Sequence, residues 1–343
     1  MAPFKLVMFD AKKYDQDNFI NKLKELGLGS RIEITYKDVR LNACEAKHVV
    51  GYDGVCLFVN DTCDEETVDV LHANNVRLLV LRCAGFNNVA VKHANKLGMK
   101  IVRVPAYSPY AVAEHSVSML MTLNRHLHVA YNRVRDANFS LDRLVGFDMF
   151  GRTVGVVGTG KIGKCAISIF RGFGCRVLAF DIYEDKTAAE NLGFEYTNLD
   201  RLLEESDVIS LYAPLTKENH HMINAKSISK MKKGVYLVNT GRGPLVDAKA
   251  LVDGLKSGQV GGACLDVYEN ESGIFYNDLS GVVLQDDILS RLINMPNVLI
   301  TSHQAYLTKE ALDGISDCSL NNIAEFISNK NPLTNLVTDD MVI

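Results

Sequence analysis

The sequence predicts an α/β protein built from two parallel-sheet domains, and three observations predict it. Its 343 residues exceed one ordinary domain. Short β-rich apolar runs alternate with longer helical patterns almost throughout, as parallel α/β architecture requires. Those runs form two tandem series, separated by a long helical stretch.

The first series of expected strands is 6–9, 32–36, 54–58, 78–81 and 100–104. The second is 153–157, 177–180, 208–212, 235–238, 262–265 and 298–301. Between them runs "YSPYAVAEHSVSMLMTLNRHLHVAYNRVRD". Ser108 suits a helix cap and Pro109 the first helical position. Val112, Val117, Leu120 and Leu123 are apolar, and Ala113, Met119 and Met121 extend the apolar surface to other faces. Such a helix is buried on more than one side, in a core or at a subunit interface. After Thr308 comes a last helix, with Leu312, Ile315, Cys318, Ile323, Phe326 and Ile327 as its apolar stripe; it can pack on either domain.

Composition narrows the function classes. The chain is 47% hydrophobic and 23% charged, ordinary for a globular protein. A net charge of −4, with no basic block, gives no footprint for nucleic acid. No apolar run approaches the roughly 18–20 residues that span a bilayer, so no membrane partner is expected. The start, "MAPFKLVMFDAKKYD", reads as a first strand, not a secretory signal. Eight cysteines include no Cys-x-x-Cys pair, and several sit in apolar runs. They read as buried free thiols of a cytoplasmic protein.

The stretch "TVGVVGTGKIGKCAISIFRGFGCRVLAFDIYED" carries the most specific motif. Gly158, Gly160 and Gly163 form G-x-G-x-x-G after a β-branched strand and before an apolar-periodic helix, 161–173; a second strand ends at Asp181. That is a dinucleotide-binding βαβ unit. Gly158 permits the tight turn, Gly160 lets a pyrophosphate approach the backbone, and Gly163 lets helix and strand pack closely. The phosphates lie at the positive end of the helix. Asp181 accepts from the ribose hydroxyls and repels a 2′-phosphate, so NAD is the expected cofactor. Lys161 and Ile162 belong to the same cofactor-facing loop, Lys161 toward a phosphate or solvent.

Ligands of an open parallel sheet bind beyond the carboxyl ends of its strands. After "VYLV" comes "NTGRGPLVD" with Arg242; after "GACL" comes "DVYENE" with Asp266, Glu269 and Glu271; after "NVLIT" comes "SHQAY" with His303. Each alone has an ordinary explanation as a solvated or structural residue. Together they suit reduction of a 2-keto acid. Arginine's fork grips a carboxylate. Histidine gives a proton to the oxygen as hydride reaches carbon. A neighbouring glutamate orients the ring.

The ordered set "GTGKIG", "FD", "NTGRGPLVD", "ACLDVYENE" and "SHQAYLT" resembles the NAD-dependent D-2-hydroxyacid dehydrogenase family. "VPAYSPYAVAEHSV" and the loop from "DVYENESGIFYNDLSG" to "SHQAYLT" are similar to its fermentative, D-lactate-forming branch. The resemblance implies a catalytic set of Arg242, Glu271 and His303, Glu271 being chosen over Glu269. It places Asp266 beside the nicotinamide amide, and Ala213, Pro214, Asn219, Thr240 and Gly241 along the cofactor. "CAGFNN" matches the loop whose amides hold the substrate carboxylate, pointing to Ala84 and Gly85; Tyr107 and Tyr306 match pocket-lining positions. The implied fold is two Rossmann-like/flavodoxin-like domains with an active-site cleft between them. A substrate domain is formed by 1–105 plus 305–343, with an NAD-binding domain, 106–304, inserted. The implied reaction is NADH-dependent, reversible reduction of pyruvate to D-lactate. The implied assembly is a homodimer or dimer-based oligomer, through the helix running from Tyr110 to Arg125.

Two other readings stay open at this point. One is a relative acting on another 2-keto acid: phenylpyruvate, 2-ketoisocaproate, glyoxylate or hydroxypyruvate. The other is an NAD-sensing binding protein. Formate oxidation is disfavoured, since glutamine is expected there in place of Glu271. No metal site is expected. His220 and His221 read as solvated loop residues without a carboxylate partner. His126 and His128 read as helix-surface residues, His115 as structural and Cys264 as core.

Overall fold

The computed structural model describes residues 2–342. The chain divides into two compact units: Met1–Ser108 with Leu307–Ile343, and Pro109–Tyr306. In the first unit the strands are β1 Phe4–Met8, β2 Ile32–Tyr36, β3 Gly54–Leu57, β4 Leu78–Leu81 and β5 Lys100–Val102. They form a parallel sheet in the order β2-β1-β3-β4-β5. Every residue of β3 and β4 is buried. A parallel sheet covered on both faces demands such continuous apolar strands. The last helix, Lys309–Ile327, packs on the helix Lys13–Glu25 and on β4, so the end of the chain completes this unit. Beyond it, Leu336 bridges Val102 at the edge of the sheet in the antiparallel sense.

At the carboxyl edge of this sheet lies a buried polar knot. Arg82, 2% exposed, donates to the carbonyls of Phe9 and Asp10 at 3.2 and 2.7 Å and approaches Asp15 at 3.6 Å. Its guanidinium also stacks on Phe58, 4.3 Å from the ring centre. Asp61, 1% exposed, accepts from the amides of Leu41 and Phe58, each at 2.6 Å. Those amide bonds turn the chain after β3 and tie in the segment that follows β2.

The second unit contains β6 Thr153–Val157, β7 Arg176–Phe180, β8 Glu195–Tyr196, β9 Val208–Leu211, β10 Val235–Asn239, β11 Val260–Leu265 and β12 Val298–Ile300. All are parallel, in the order β12-β11-β10-β9-β6-β7-β8. The order reverses between β6 and β9, the switch point at which such sheets bind ligands. Strand β8 was not anticipated. It has two residues, Glu195 exposed and Tyr196 half-buried, and so carries no apolar run.

The helix Pro109–Asn124 belongs to the core of this unit. It packs on the helix Lys161–Gly172 and on β10, β11 and β12. Ala113, Val117, Leu120 and Leu123 are buried, and Ser116 satisfies its hydroxyl on the Ala113 carbonyl at 2.7 Å. Asn124 ends the helix by exchanging hydrogen bonds with the Phe147 backbone, at 2.8 and 2.9 Å. Of the two readings of this apolar helix, the core is therefore the main one. Apart from Tyr110, the exposed large apolar side chains of this region follow the helix, among them Leu127, Tyr131, Phe139, Leu141, Val145 and Phe150.

Burial pushes the Asp61 carboxyl up to about 6, against the Phe58 and Leu41 amides that pull it down. A raised carboxyl favours the folded state in its protonated form. That contribution is full below the ordinary value of 3.8 and is lost as pH rises through about 6. Asp61→Asn should therefore flatten the fall in unfolding free energy between pH 4 and 6 by about 2–3 kcal/mol. Urea titrations across that range read the slope, and an unchanged slope refutes the account.

Candidate active site

The glycine loop joins β6 to the helix Lys161–Gly172. Gly158 adopts φ +94°, and a Cβ there would lie 2.6 Å from Ala213 N. A Cβ on Gly163 would lie 2.0 Å from the Gly158 carbonyl oxygen, so no larger residue fits without moving backbone. Over Gly160 there is open space. Lys161 is exposed and Ile162 half-buried at the helix start. Asp181, just beyond β7, braces the loop from the side. Its Oδ2 accepts from the Thr159 amide at 2.6 Å and hydroxyl at 3.0 Å, and its Oδ1 from Tyr183 N at 2.9 Å.

Arg242, Glu271 and His303 follow β10, β11 and β12, three neighbouring strands of one sheet. His303 Nδ1 lies 2.8 Å from Glu271 Oε1. A carboxylate only accepts, so the proton of this bond sits on Nδ1. Among the described residues no hydrogen-bond partner meets the opposite ring nitrogen, Nε2. Glu271 also accepts from Tyr268 N at 3.0 Å, which fixes the carboxylate before it meets the ring. Arg242 is half-buried, with extended backbone, and heads the 3-10 turn Gly243–Leu245. One guanidinium nitrogen donates to the Gly241 carbonyl at 2.8 Å, while Asn239 Nδ2 donates to the Arg242 carbonyl at 2.9 Å.

His303 has a left-handed backbone, φ +54°. For a residue with a Cβ that conformation persists only where the surroundings hold it. Asp266, 1% exposed, does the holding. Its carbonyl accepts from His303 N at 2.7 Å. Its Oδ1 accepts from the Thr301 hydroxyl at 2.5 Å and Gln304 N at 2.9 Å, and its Oδ2 from Ala305 N at 2.8 Å. His115 Nε2, from the buried helix, stands 3.5 Å from Oδ1 and 3.2 Å from the Thr301 hydroxyl. Burial alone would push the Asp266 carboxyl up. The His115 ring, the Thr301 hydroxyl and the Ala305 and Gln304 amides together hold it below the usual carboxylate range.

The remaining candidates divide by position. Ala213 and Pro214 follow β9, where Asn219 closes the loop by donating to the Pro214 carbonyl at 2.7 Å and accepting from Thr216 N at 2.7 Å. Gly241 N donates to Asn239 Oδ1 at 3.1 Å. The Thr240 hydroxyl is buried with no partner among the described residues. Tyr306 is buried. In the other unit Ala84, Gly85 and Tyr107 are half-buried. The Ala84 carbonyl accepts from Arg103 at 2.9 Å and the Gly85 carbonyl from the Cys83 thiol at 3.2 Å, and neither residue's N–H has an acceptor among the described residues.

The family described as "D-isomer specific 2-hydroxyacid dehydrogenase, NAD binding domain" matches residues 117–305. D-lactate dehydrogenase of Escherichia coli is 48% identical over 93% of this chain and 96% of its own length.

The chain belongs to the D-2-hydroxyacid dehydrogenases.

Solved structures of this family agree. The apo form of the Escherichia coli D-lactate dehydrogenase superposes with a TM-score of 0.88, covering 97% of this chain and 100% of that one at 45% identity. The pyruvate reductase of Chlamydomonas reinhardtii gives 0.91, at 41% identity, covering 97% and 99%. This dehydrogenase uses NAD to interconvert 2-keto and 2-hydroxy acids. Its own residues suit the cofactor: an open floor at Gly160, a helix start beside it, and an orphaned Thr240 hydroxyl at the same sheet edge.

Several contacts at this edge lay beyond sequence reasoning. His221 is not a solvated histidine without a carboxylate: its Nε2 lies 2.8 Å from Glu269 Oε2. The two residues are 48 apart in sequence, and only the strand order brings their loops together. Tyr276, whose hydroxyl donates to the His303 carbonyl at 2.8 Å, sits in an irregular loop with no periodicity to read. His115 and Thr301 meet Asp266 from separate elements. His126 sits at a left-handed break between two helices, φ +50°, and His128 has a buried ring nitrogen without a partner among the described residues, so neither is a plain helix-surface residue.

Asp266→Asn places an N–H₂ opposite a donor. It should cost about 1–3 kcal/mol, because one buried donor loses its acceptor. Urea denaturation at pH 7 measures this, and an unchanged midpoint and slope contradict the clamp.

Proposed function

We propose that this dehydrogenase reduces pyruvate to D-lactate, with Arg242 holding the substrate carboxylate, His303 donating the proton and Glu271 orienting His303. The observation that carries the reading is the 2.8 Å bond between His303 Nδ1 and Glu271 on the strand edge that also bears Arg242. The D-lactate dehydrogenase and pyruvate reductase names of its relatives support the choice of pyruvate.

NADH, when bound, supplies the hydride. Arg242 offers a planar pair of N–H donors that matches a carboxylate's two oxygens. In the first unit, the free Ala84 and Gly85 amides are candidates to hold a carboxylate. With Nδ1–H committed to Glu271, the protonated ring has one transferable proton, on Nε2. As the carbonyl carbon gains hydride, its oxygen gains negative charge, and the Nε2 proton moves to it. The ring left behind keeps its Nδ1 proton, the tautomer that Glu271 favours. Asp266 keeps the ring's backbone fixed throughout. With NAD bound, Asp181, just beyond β7, would accept from the adenosine ribose, and Thr240, Asn219 and the Ala213–Pro214 backbone would help to hold the cofactor. Tyr306, buried one turn of chain beyond His303, lines the substrate pocket.

His303→Ala should lower kcat with pyruvate by about 10²–10⁴ while NADH binding, read by fluorescence, stays intact. Near-normal turnover would remove His303 from the chemistry. NADH oxidation with pyruvate, phenylpyruvate, 2-ketoisocaproate, glyoxylate and hydroxypyruvate, with chiral analysis of the product, tests the substrate. The highest kcat/KM should fall on pyruvate, giving the D product; a bulkier acid in first place overturns that choice.

We also infer a homodimer. Leu127, Tyr131, Phe139, Leu141, Val145 and Phe150 lie exposed within one short stretch, with Val145 88% exposed. Clustered exposed apolar residues of this kind mark an interaction surface. Eight unbridged cysteines, five of them buried, support a reducing, cytoplasmic setting. Leu141→Asp with Val145→Asp should shift the sedimenting species from dimer to monomer at micromolar concentration. A dimer that persists in this variant would place the interface elsewhere.

A further inference from the structure

Two residues before Glu271, a second glutamate clasps a second histidine. Glu269 Oε2 meets His221 Nε2 at 2.8 Å, and its Oε1 accepts from Ala248 N at 3.1 Å. The glutamate side chain is 17% exposed and the histidine 33%, so the pair is partly shielded from solvent. His221 repeats the backbone of His303, with φ +51°. An L-residue stays in that conformation only where neighbours hold it.

His221 belongs to a segment joined to the turn that carries Arg242. His221 N donates to the Pro244 carbonyl at 2.8 Å, Ile223 N to the Leu245 carbonyl at 3.0 Å, and Asp247 N to the Ile223 carbonyl at 2.8 Å. The same turn packs backbone against backbone on the loop that leads to Glu271. A Cβ on Gly243 would lie 2.2 Å from the carbonyl carbon and oxygen of Tyr268 and 2.5 Å from Glu269 N. Tyr268 N in turn donates to Glu271 at 3.0 Å. The Arg242 turn and the Glu271 loop are thus joined by glycine packing, by the bond from Ala248 N to Glu269, and, through the His221 segment, by the Glu269–His221 clasp. Both links other than the glycine packing depend on the Glu269 side chain, and the clasp alone needs His221 as well.

We propose that Glu269 and His221 are positioning residues that hold Arg242 in register with the Glu271–His303 pair, so that the guanidinium meets the substrate carboxylate squarely. The inference rests on the reading of Arg242 as the carboxylate-holding residue. Both N–H groups of a guanidinium fork must align with the two oxygens, so a small drift of the turn weakens the grip. The proton donor is held separately, by Asp266 and Glu271. Loosening the clasp therefore affects substrate affinity ahead of turnover.

The test uses the full-length enzyme with saturating NADH, pyruvate as substrate and oxamate as a non-reacting analogue. In Glu269→Ala, KM for pyruvate and the dissociation constant of oxamate should both rise about tenfold, with kcat within about threefold of wild type. His221→Gln, which keeps the backbone pairing, should behave alike, and it carries the test if Glu269→Ala does not fold. A double-mutant cycle with Arg242→Lys separates positioning from general stabilisation. If the pair acts through Arg242, Glu269→Ala should add little to the loss of oxamate binding already caused by Arg242→Lys. Additive losses, or a lower melting temperature with KM unchanged, overturn the proposal. The two layers also fail differently. If Arg242→Lys leaves oxamate binding intact, the role of Arg242 falls and the inference with it. If Arg242→Lys weakens binding and neither clasp variant does, only the inference falls.

Discussion

The buried carboxylate of Asp266 is the constraint on which the reactive edge depends. It stands at the end of β11, where its neighbours' carboxyl ends also open, and it collects donors from the segment after β12 and from the helix Pro109–Asn124. A charged oxygen pair away from water must find hydrogen-bond donors or lose its charge. Here those donors are the hydroxyl and amides of the segment that carries His303. Satisfying the carboxylate and folding that segment are one event. The left-handed backbone of His303 follows from this, because its amide must reach the Asp266 carbonyl while Gln304 and Ala305 reach the side chain.

The parallel sheet supplies the second level of order. A parallel strand carries whatever follows it to the same edge as its neighbours, whatever the sequence distance. Arg242, Glu271 and His303 span more than 60 positions but follow three adjacent strands. The same logic makes a second, quieter set beside them, in which Glu269 meets His221 across loops from β11 and β9. Alternate glutamates on one loop thus face two histidines: one beside the proposed chemistry, the other beside the turn that carries its arginine.

Much of this was legible from residues alone. Buried parallel strands are continuous apolar runs, so β4 and β6 were bounded correctly; the edge strand β2, with only Ile32 buried, was too, through its β-branched residues, and most others fell within two residues. The glycine loop was legible because each glycine answers a separate steric demand: a Cβ at Gly158 or Gly163 would strike backbone, and Gly160 lies under open space. What escaped was whatever depended on pairing between distant loops. No local pattern announces that His221 has a carboxylate partner, or that Tyr276 reaches the His303 carbonyl. Strand β8 escaped for the opposite reason: at the edge of its sheet it needs little apolar character, so Glu195 and Tyr196 leave no periodic trace. The apolar helix Pro109–Asn124 was ambiguous because a core helix and an interface helix bury similar faces; only its neighbours decide.

The discontinuity of the first unit carries a consequence for biosynthesis. Its sheet lies in the first 108 residues, but the helix Lys309–Ile327 that covers β4 and the Leu336 contact at its edge come from the last part of the chain. At roughly 5–20 residues per second, a ribosome needs on the order of ten seconds or more to make the intervening stretch. Throughout that interval the nascent sheet has an apolar face without its covering helix, while the inserted unit has all of its own strands in one uninterrupted run. The inserted unit is therefore equipped to fold first, and the amino-terminal sheet is the part of the newborn chain most in need of a holding chaperone.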